Sequence, residues 1–185
     1  MCIRDRFSKW ADEEDRDFWA QAAVASRKYL VQACSPITGM SAEYAEFDGS
    51  PMSRKLGWSN DRHDWFYSDS YRTVANIGLD YEWFGIDEGQ CAAVDRLQEF
   101  LLEDARRNQF HTYEINGTVA QSDVLHPVAI IATVAQGSLA ANNPFMNEWI
   151  ERFWNTPMRT GVRRYYDNCL YFFAFLALSG KYRIW

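Results

Sequence analysis

Between Pro127 and Ala141 the chain reads "PVAIIATVAQGSLAA", with no charged residue. Proline suits the first turn of a helix, where its missing N–H has no intrahelical partner to lose. Alanine, isoleucine and valine recur on every side of such a helix and leave no face for water. The stretch therefore predicts a helix buried nearly all round, and such a helix needs other elements packed about it.

Candidates for those elements lie on both sides. From Glu13 to Ala33 the apolar residues Phe18, Ala22, Val24, Ala25, Tyr29 and Val31 recur among charged ones, an amphipathic pattern that stops at "CSPITG". Asp87 to Asn108 repeats the pattern, with Val94, Leu97, Phe100 and Leu101 on one side. "NNPFMNEWIERFWN" and "RRYYDNCLYFFAFLALSG" predict two more helices, the second ended by Ser179 and Gly180. Its Phe172, Phe173 and Phe175 are assigned to the core, because adjacent aromatics on an apolar run need packing. Met40 to Trp65 reads as a long irregular loop, and "FHTYEINGTVAQ" as a hairpin turning at Asn116 and Gly117. With about six helices and little strand, the expected fold is all-α, without an internal repeat or a second domain boundary.

Composition narrows the class. The 185 residues are 48% hydrophobic and 16% aromatic, enough for one sizeable core. Nineteen basic residues against 25 acidic ones give a net charge of -6, which repels a polyanion and argues against nucleic acid as partner. The longest apolar run, Cys169 to Leu178, falls well short of the roughly 20 residues that cross a bilayer, so no membrane span is expected. "MCIRDRFSKW" has no apolar segment behind its charges, so the expectation is a cytoplasmic protein without a secretory signal. Cys2, Cys34, Cys91 and Cys169 are far apart, as are His63, His111 and His126. That spacing predicts buried free thiols and no metal site.

The chemistry concentrates in His63 to Gly85, "HDWFYSDSYRTVANIGLDYEWFG", which has the length and helix formers of a helix. At about 100° per residue, Asp69, Arg72, Thr73, Asn76, Asp80 and Trp83 share one arc, while Val74, Ala75, Ile77, Gly78 and Tyr81 call for burial. The polar line could then face a cavity. Spacing leaves two readings open: Asp69 caps the helix or pairs with Arg72, or it belongs to a reaction centre. Asp61, His63, Asp64, Trp65, Phe66 and Tyr67 crowd the helix start, and flat rings flanked by carboxylates suit a sugar. Inverting hydrolysis of a glycosidic bond needs an acid and a base carboxylate about 6.5 to 9.5 Å apart. Asp69 and Asp80 would stand about 16 Å apart along a helix, so Asp69 needs a partner from another element. Glu114 and Asp123 read as loop-stabilising carboxylates, and Glu43 and Glu46 as possible borders of a cleft.

Three blocks, "FYSDSYRTVANIGLDYEWFG", "LHPVAIIATVAQGSLAA" and "FWNTPMRTGVRRYYDNCLYFFAFLALSGKYRIW", closely resemble glycoside hydrolase family 8, in particular its reducing-end xylose-releasing exo-oligoxylanases. The resemblance implies an (α/α)6 barrel, no cofactor, and inverting hydrolysis of β-1,4-linked xylo-oligosaccharides with release of xylose. Asp69 matches the family's general base, and Arg72, one turn further on, becomes a substrate or carboxylate partner. His126, in the "VLHP" loop, would lie near the terminal sugar's anomeric hydroxyl. Trp65 and Tyr67, with Trp58, are candidate aromatic sugar contacts, as are Tyr165 and Tyr166.

The family's general acid is a glutamate in an earlier part of the barrel, in a block that precedes everything present here. A full barrel also takes about twice the helices read in this chain. Residues 1–185 are therefore expected to be the C-terminal half of the catalytic domain, with the N-terminal half as their partner, and to be inactive alone. Two alternatives stay open: an endo-acting xylanase or β-glucanase of the same family, and a non-catalytic carbohydrate-binding protein.

Overall fold

A computed structural model describes residues 12–53, 62–85 and 88–183. Cys2, Trp58 and Asp61 lie outside the described residues. Among the described residues six helices run in chain order: α1 (Glu13–Ala33), α2 (Tyr71–Phe84), α3 (Glu88–Arg107), α4 (Pro127–Gly137), α5 (Met146–Asn155) and α6 (Arg164–Leu178). Three short strands, β1 (Trp65–Phe66), β2 (Thr112–Glu114) and β3 (Val119–Gln121), form an antiparallel sheet in that order.

The uncharged stretch is the central helix. Every residue of α4 from Ala129 to Gly137 is buried, and α2, α3, α5 and α6 all pack against it. Ile130, Ile131 and Val134 each contribute about 1.5–3 kcal/mol by leaving water. Beyond Gly137 the backbone tightens, with Ser138, Leu139 and Ala140 donating to carbonyls three residues back. The predicted end near Ala141 thus falls after a turn of tighter pitch.

Glycine makes the closest of these contacts possible. A Cβ on Gly78 of α2 would lie 2.4 Å from the Gln136 carbonyl oxygen, and one on Gly137 would lie 2.6 Å from Val74 Cγ2. With hydrogen at both positions the backbones of α2 and α4 come together, and Gln136 Nε2 reaches the Ala75 carbonyl at 2.9 Å.

Two expectations are corrected. Phe172, Phe173 and Phe175 are 56%, 42% and 43% exposed rather than core. α6 turns Asp167, Leu170, Ala174 and Ala177 inward at helical spacing, so the phenylalanines fall on its other side. The region His63–Gly85 is also not one helix. Trp65 and Phe66 pair with Glu114 and Tyr113, and a 3-10 turn over Ser68–Ser70 precedes α2. Ser68 has φ +39°, a left-handed conformation that interrupts any helix entering from β1. Among the described residues no helix is long and apolar enough to cross a membrane.

Candidate active site

Asp69 occupies the 3-10 turn between β1 and α2, and local bonds hold that turn from both ends. Tyr67 N–H donates to Ser70 Oγ at 2.8 Å, and Ser70 N–H returns to the Tyr67 carbonyl at 2.9 Å. The left-handed Ser68 just before Asp69 costs energy that the surrounding contacts must offset, about 1–3 kcal/mol for such a residue.

Those contacts come from distant parts of the chain. Tyr166, near the start of α6, donates its hydroxyl to the Ser68 carbonyl at 2.8 Å. Burial raises the Tyr166 pKa, and the Asp69 carboxylate raises it further while Arg72 opposes. The phenol therefore stays protonated and remains a donor. Below the turn, Glu43 Oε1 accepts the Asp69 N–H at 3.5 Å and Glu43 Oε2 meets His63 Nδ1 at 2.6 Å. Both of those side chains are 9% exposed, which makes them a support under Asp69.

The Asp69 carboxylate itself is accessible, at 38% side-chain exposure, and pairs with Arg72 Nη2 at 2.8 Å. A pair this open contributes little to stability. The guanidinium keeps the carboxylate oriented and leaves acceptor positions directed at solvent.

His126 reaches the same neighbourhood through Tyr166, with ring centroids 4.5 Å apart. Its Nδ1 faces Asp167 Oδ2 at 2.9 Å, and that oxygen also accepts from Arg159 Nη1 at 2.6 Å. The Ala129 N–H fills Asp167 Oδ1 at 2.8 Å, and the Asp167 side chain is wholly buried. Asp69, Arg72, Tyr166 and His126 thus form one connected group drawn from α2, the α4 N-terminus and α6.

No family model matches the chain. A reducing end xylose-releasing exo-oligoxylanase of Halalkalibacterium halodurans is 51% identical over 180 residues, covering 97% of this chain and 45% of the relative. Another, from Bifidobacterium adolescentis, is 53% identical over 184 residues, covering 96% and 46%. The fold follows the sequence. Rex8A from Paenibacillus barcinonensis complexed with xylose superposes with a TM-score of 0.90 at 48% identity, over 97% of this chain and 47% of that one. Over nearly its whole length the chain is thus similar to reducing-end xylose-releasing exo-oligoxylanases, the group of glycoside hydrolase family 8 that its sequence blocks resemble. It spans about half the length of the curated relatives it matches, and the six helices among the described residues are part of an all-α (α/α)6 barrel.

The polar line read along Asp69–Asp80 is not one surface. Asp69 precedes the helix, and Asp80 points the other way, into a buried two-point ion pair with Arg27 of α1. The bonds are 2.7 Å from Arg27 Nε to Oδ2 and 2.7 Å from Nη2 to Oδ1. Gln90 Nε2 adds a contact at 3.4 Å. Thr73 Oγ1 accepts from Ser41 Oγ at 3.0 Å, and Trp83 Nε1 donates to the Tyr182 carbonyl at 3.0 Å. These residues fasten α2 to its neighbours. Tyr81, counted toward burial, is 40% exposed.

The other predicted residues divide. Trp65 and Tyr67 flank the Asp69 turn on the β1 side, and the Arg62 guanidinium covers the Trp65 ring at 5.1 Å. Tyr165 stands apart, 82% exposed, in a shallow concavity with Phe172 and Phe173. Asp167 and Arg159 join the site without any mark in the sequence pattern that assigns them to it. The available signal was a lone carboxylate ahead of a long apolar run, which a solvated helix start would not have buried.

Proposed function

We propose that this chain supplies the base-bearing half of an inverting glycoside hydrolase that removes xylose from the reducing end of β-1,4-linked xylo-oligosaccharides. The observation that carries the reading is the state of Asp69. It is an accessible carboxylate on a turn fixed by Tyr166, Ser70 and Glu43, in a chain about half identical to exo-oligoxylanases.

The chemistry follows from that carboxylate. Asp69 takes a proton from water as the water oxygen attacks the anomeric carbon, so configuration inverts and no covalent sugar is formed on the protein. A carboxylic acid from the other half of the barrel protonates the departing xylose oxygen. Arg72 holds the Asp69 carboxylate toward the water, and Tyr166 keeps the turn in place. His126 lies beside the hydroxyl of the departing reducing-end sugar, with Trp65 and Tyr67 at the edge of the cleft.

The partner in this reading is the remaining part of the barrel, which would cover the phenylalanine stripe of α6. Joined to that part, the chain is expected to release xylose from the reducing end of xylotriose with inversion, followed by NMR of the new anomeric centre. Retention would overturn the role of Asp69 as base, and internal cleavage of longer xylans would move the assignment to endo action.

A further inference from the structure

Asp167 offers only acceptors. Its three neighbouring groups are the Ala129 N–H, the Arg159 guanidinium and His126 Nδ1, at 2.8, 2.6 and 2.9 Å, and the side chain is sealed from solvent. A carboxylate facing a guanidinium and a backbone N–H is ionised and has no proton to give, so the proton between it and the imidazole sits on Nδ1. In neutral imidazole one nitrogen donates and the other accepts. Where the ring is neutral, Asp167 therefore makes Nε2 the acceptor.

We infer that Asp167 is a positioning residue that sets the His126 tautomer, so that Nε2 selects a sugar whose anomeric oxygen still carries a hydrogen. Arg159 completes the device. It neutralises the Asp167 charge, and through Nη1 it also donates to the Leu125 carbonyl, tying down the loop beside His126. Tyr166 packs against the imidazole and limits its rotation. A free reducing end can donate to Nε2, whereas an O-alkylated end presents a second acceptor and is refused. This inference rests on the reading of His126 as a sugar contact; the tautomer itself does not.

The test separates the two. Two-bond 1H–15N correlation spectra of the chain, with His126 assigned through His126→Gln, are expected to show the proton on Nδ1. In Asp167→Asn the amide N–H can face the ring, and the proton is expected to move to Nε2. A wild-type spectrum with the proton on Nε2 overturns the inference without recourse to any variant, as does an Asp167→Asn spectrum identical to wild type. In the completed enzyme, kcat/KM for xylotriose over its methyl glycoside is expected to fall roughly tenfold or more in Asp167→Asn. If the tautomer changes while neither Asp167→Asn nor His126→Gln alters that ratio, the sugar reading of His126 and the specificity role fall together.

Discussion

Tyr166 reaches 98 positions back along the chain to donate its hydroxyl to the Ser68 carbonyl, one residue ahead of Asp69. A side chain of α6 thereby fixes a turn attached to α2, and the same ring supports His126 on its other flank. Tyr166→Phe removes that bond together with the hydroxyl's interaction with the Asp69 carboxylate. The expected cost is about 1 kcal/mol of stability, measured by urea unfolding. In the completed enzyme kcat is expected to fall about tenfold or more, because the Asp69 carboxylate is then less well placed.

Asp69→Asn retains the shape of the site and removes its proton acceptor. In the completed enzyme turnover is expected to drop by about 10²–10⁴-fold while xylo-oligosaccharide affinity, measured calorimetrically, changes little. Unchanged turnover would remove Asp69 from the mechanism.

The Arg27–Asp80 pair is structural and follows a different logic. Arg27→Ala leaves a buried carboxylate without its cation and is expected to cost about 3–5 kcal/mol. Exchanging both partners for apolar residues of similar size is expected to restore most of that loss. Denaturant unfolding of the two variants compares the outcomes directly.

Cys34 gives a pH prediction. Burial disfavours its thiolate and pushes the pKa up to about 11, with Arg96 opposing weakly. The native thiol is therefore protonated at pH 8. It is expected to resist a thiol reagent there, and to react as pH approaches that value or once denaturant opens the fold. Mass spectrometry of labelled peptides locates the modification.

Phe172 and Phe173 test the partner. Replacing both with serine is expected to leave the unfolding midpoint of the 185-residue chain almost unchanged, since both rings already meet solvent. The same substitutions are expected to weaken association with the rest of the barrel by several kcal/mol. Titration of the two halves against each other measures the difference.

Local pattern carried much of this fold. The Glu13–Ala33 helix, the Asn116–Gly117 hairpin and the last helix to Leu178 follow from apolar spacing and terminators, and the burial of α4 follows from its lack of charge. Other features depended on distant residues. Trp65 and Phe66 are strand because Glu114 and Tyr113 pair with them, which no helical periodicity within His63–Gly85 can register. Asp80 looked like a companion of Asp69, yet the residue that decides its direction, Arg27, is 53 positions away. Sequence alone places the phenylalanines of α6 in the core, because an apolar run does not say which chain covers it. Asp69 itself became prominent through resemblance. The bonds that make it a fixed carboxylate come from Glu43 and Tyr166, and neither contact was legible from spacing.

The contact between α2 and α4 limits what descendants of this sequence can be. At Gly78 a Cβ would meet the Gln136 backbone at 2.4 Å, which only a shift of the helix relieves, and at Gly137 it would meet Val74 Cγ2 at 2.6 Å, on the opposite partner of the same crossing, so that the valine must repack. Such a shift would carry the Asp69 turn, at the head of α2, away from His126, at the head of α4. Natural variation should therefore reach these two positions last, after the surface and even after much of the apolar core. A library that randomises them should return glycine from selection for activity, although neither residue lies near the reacting atoms.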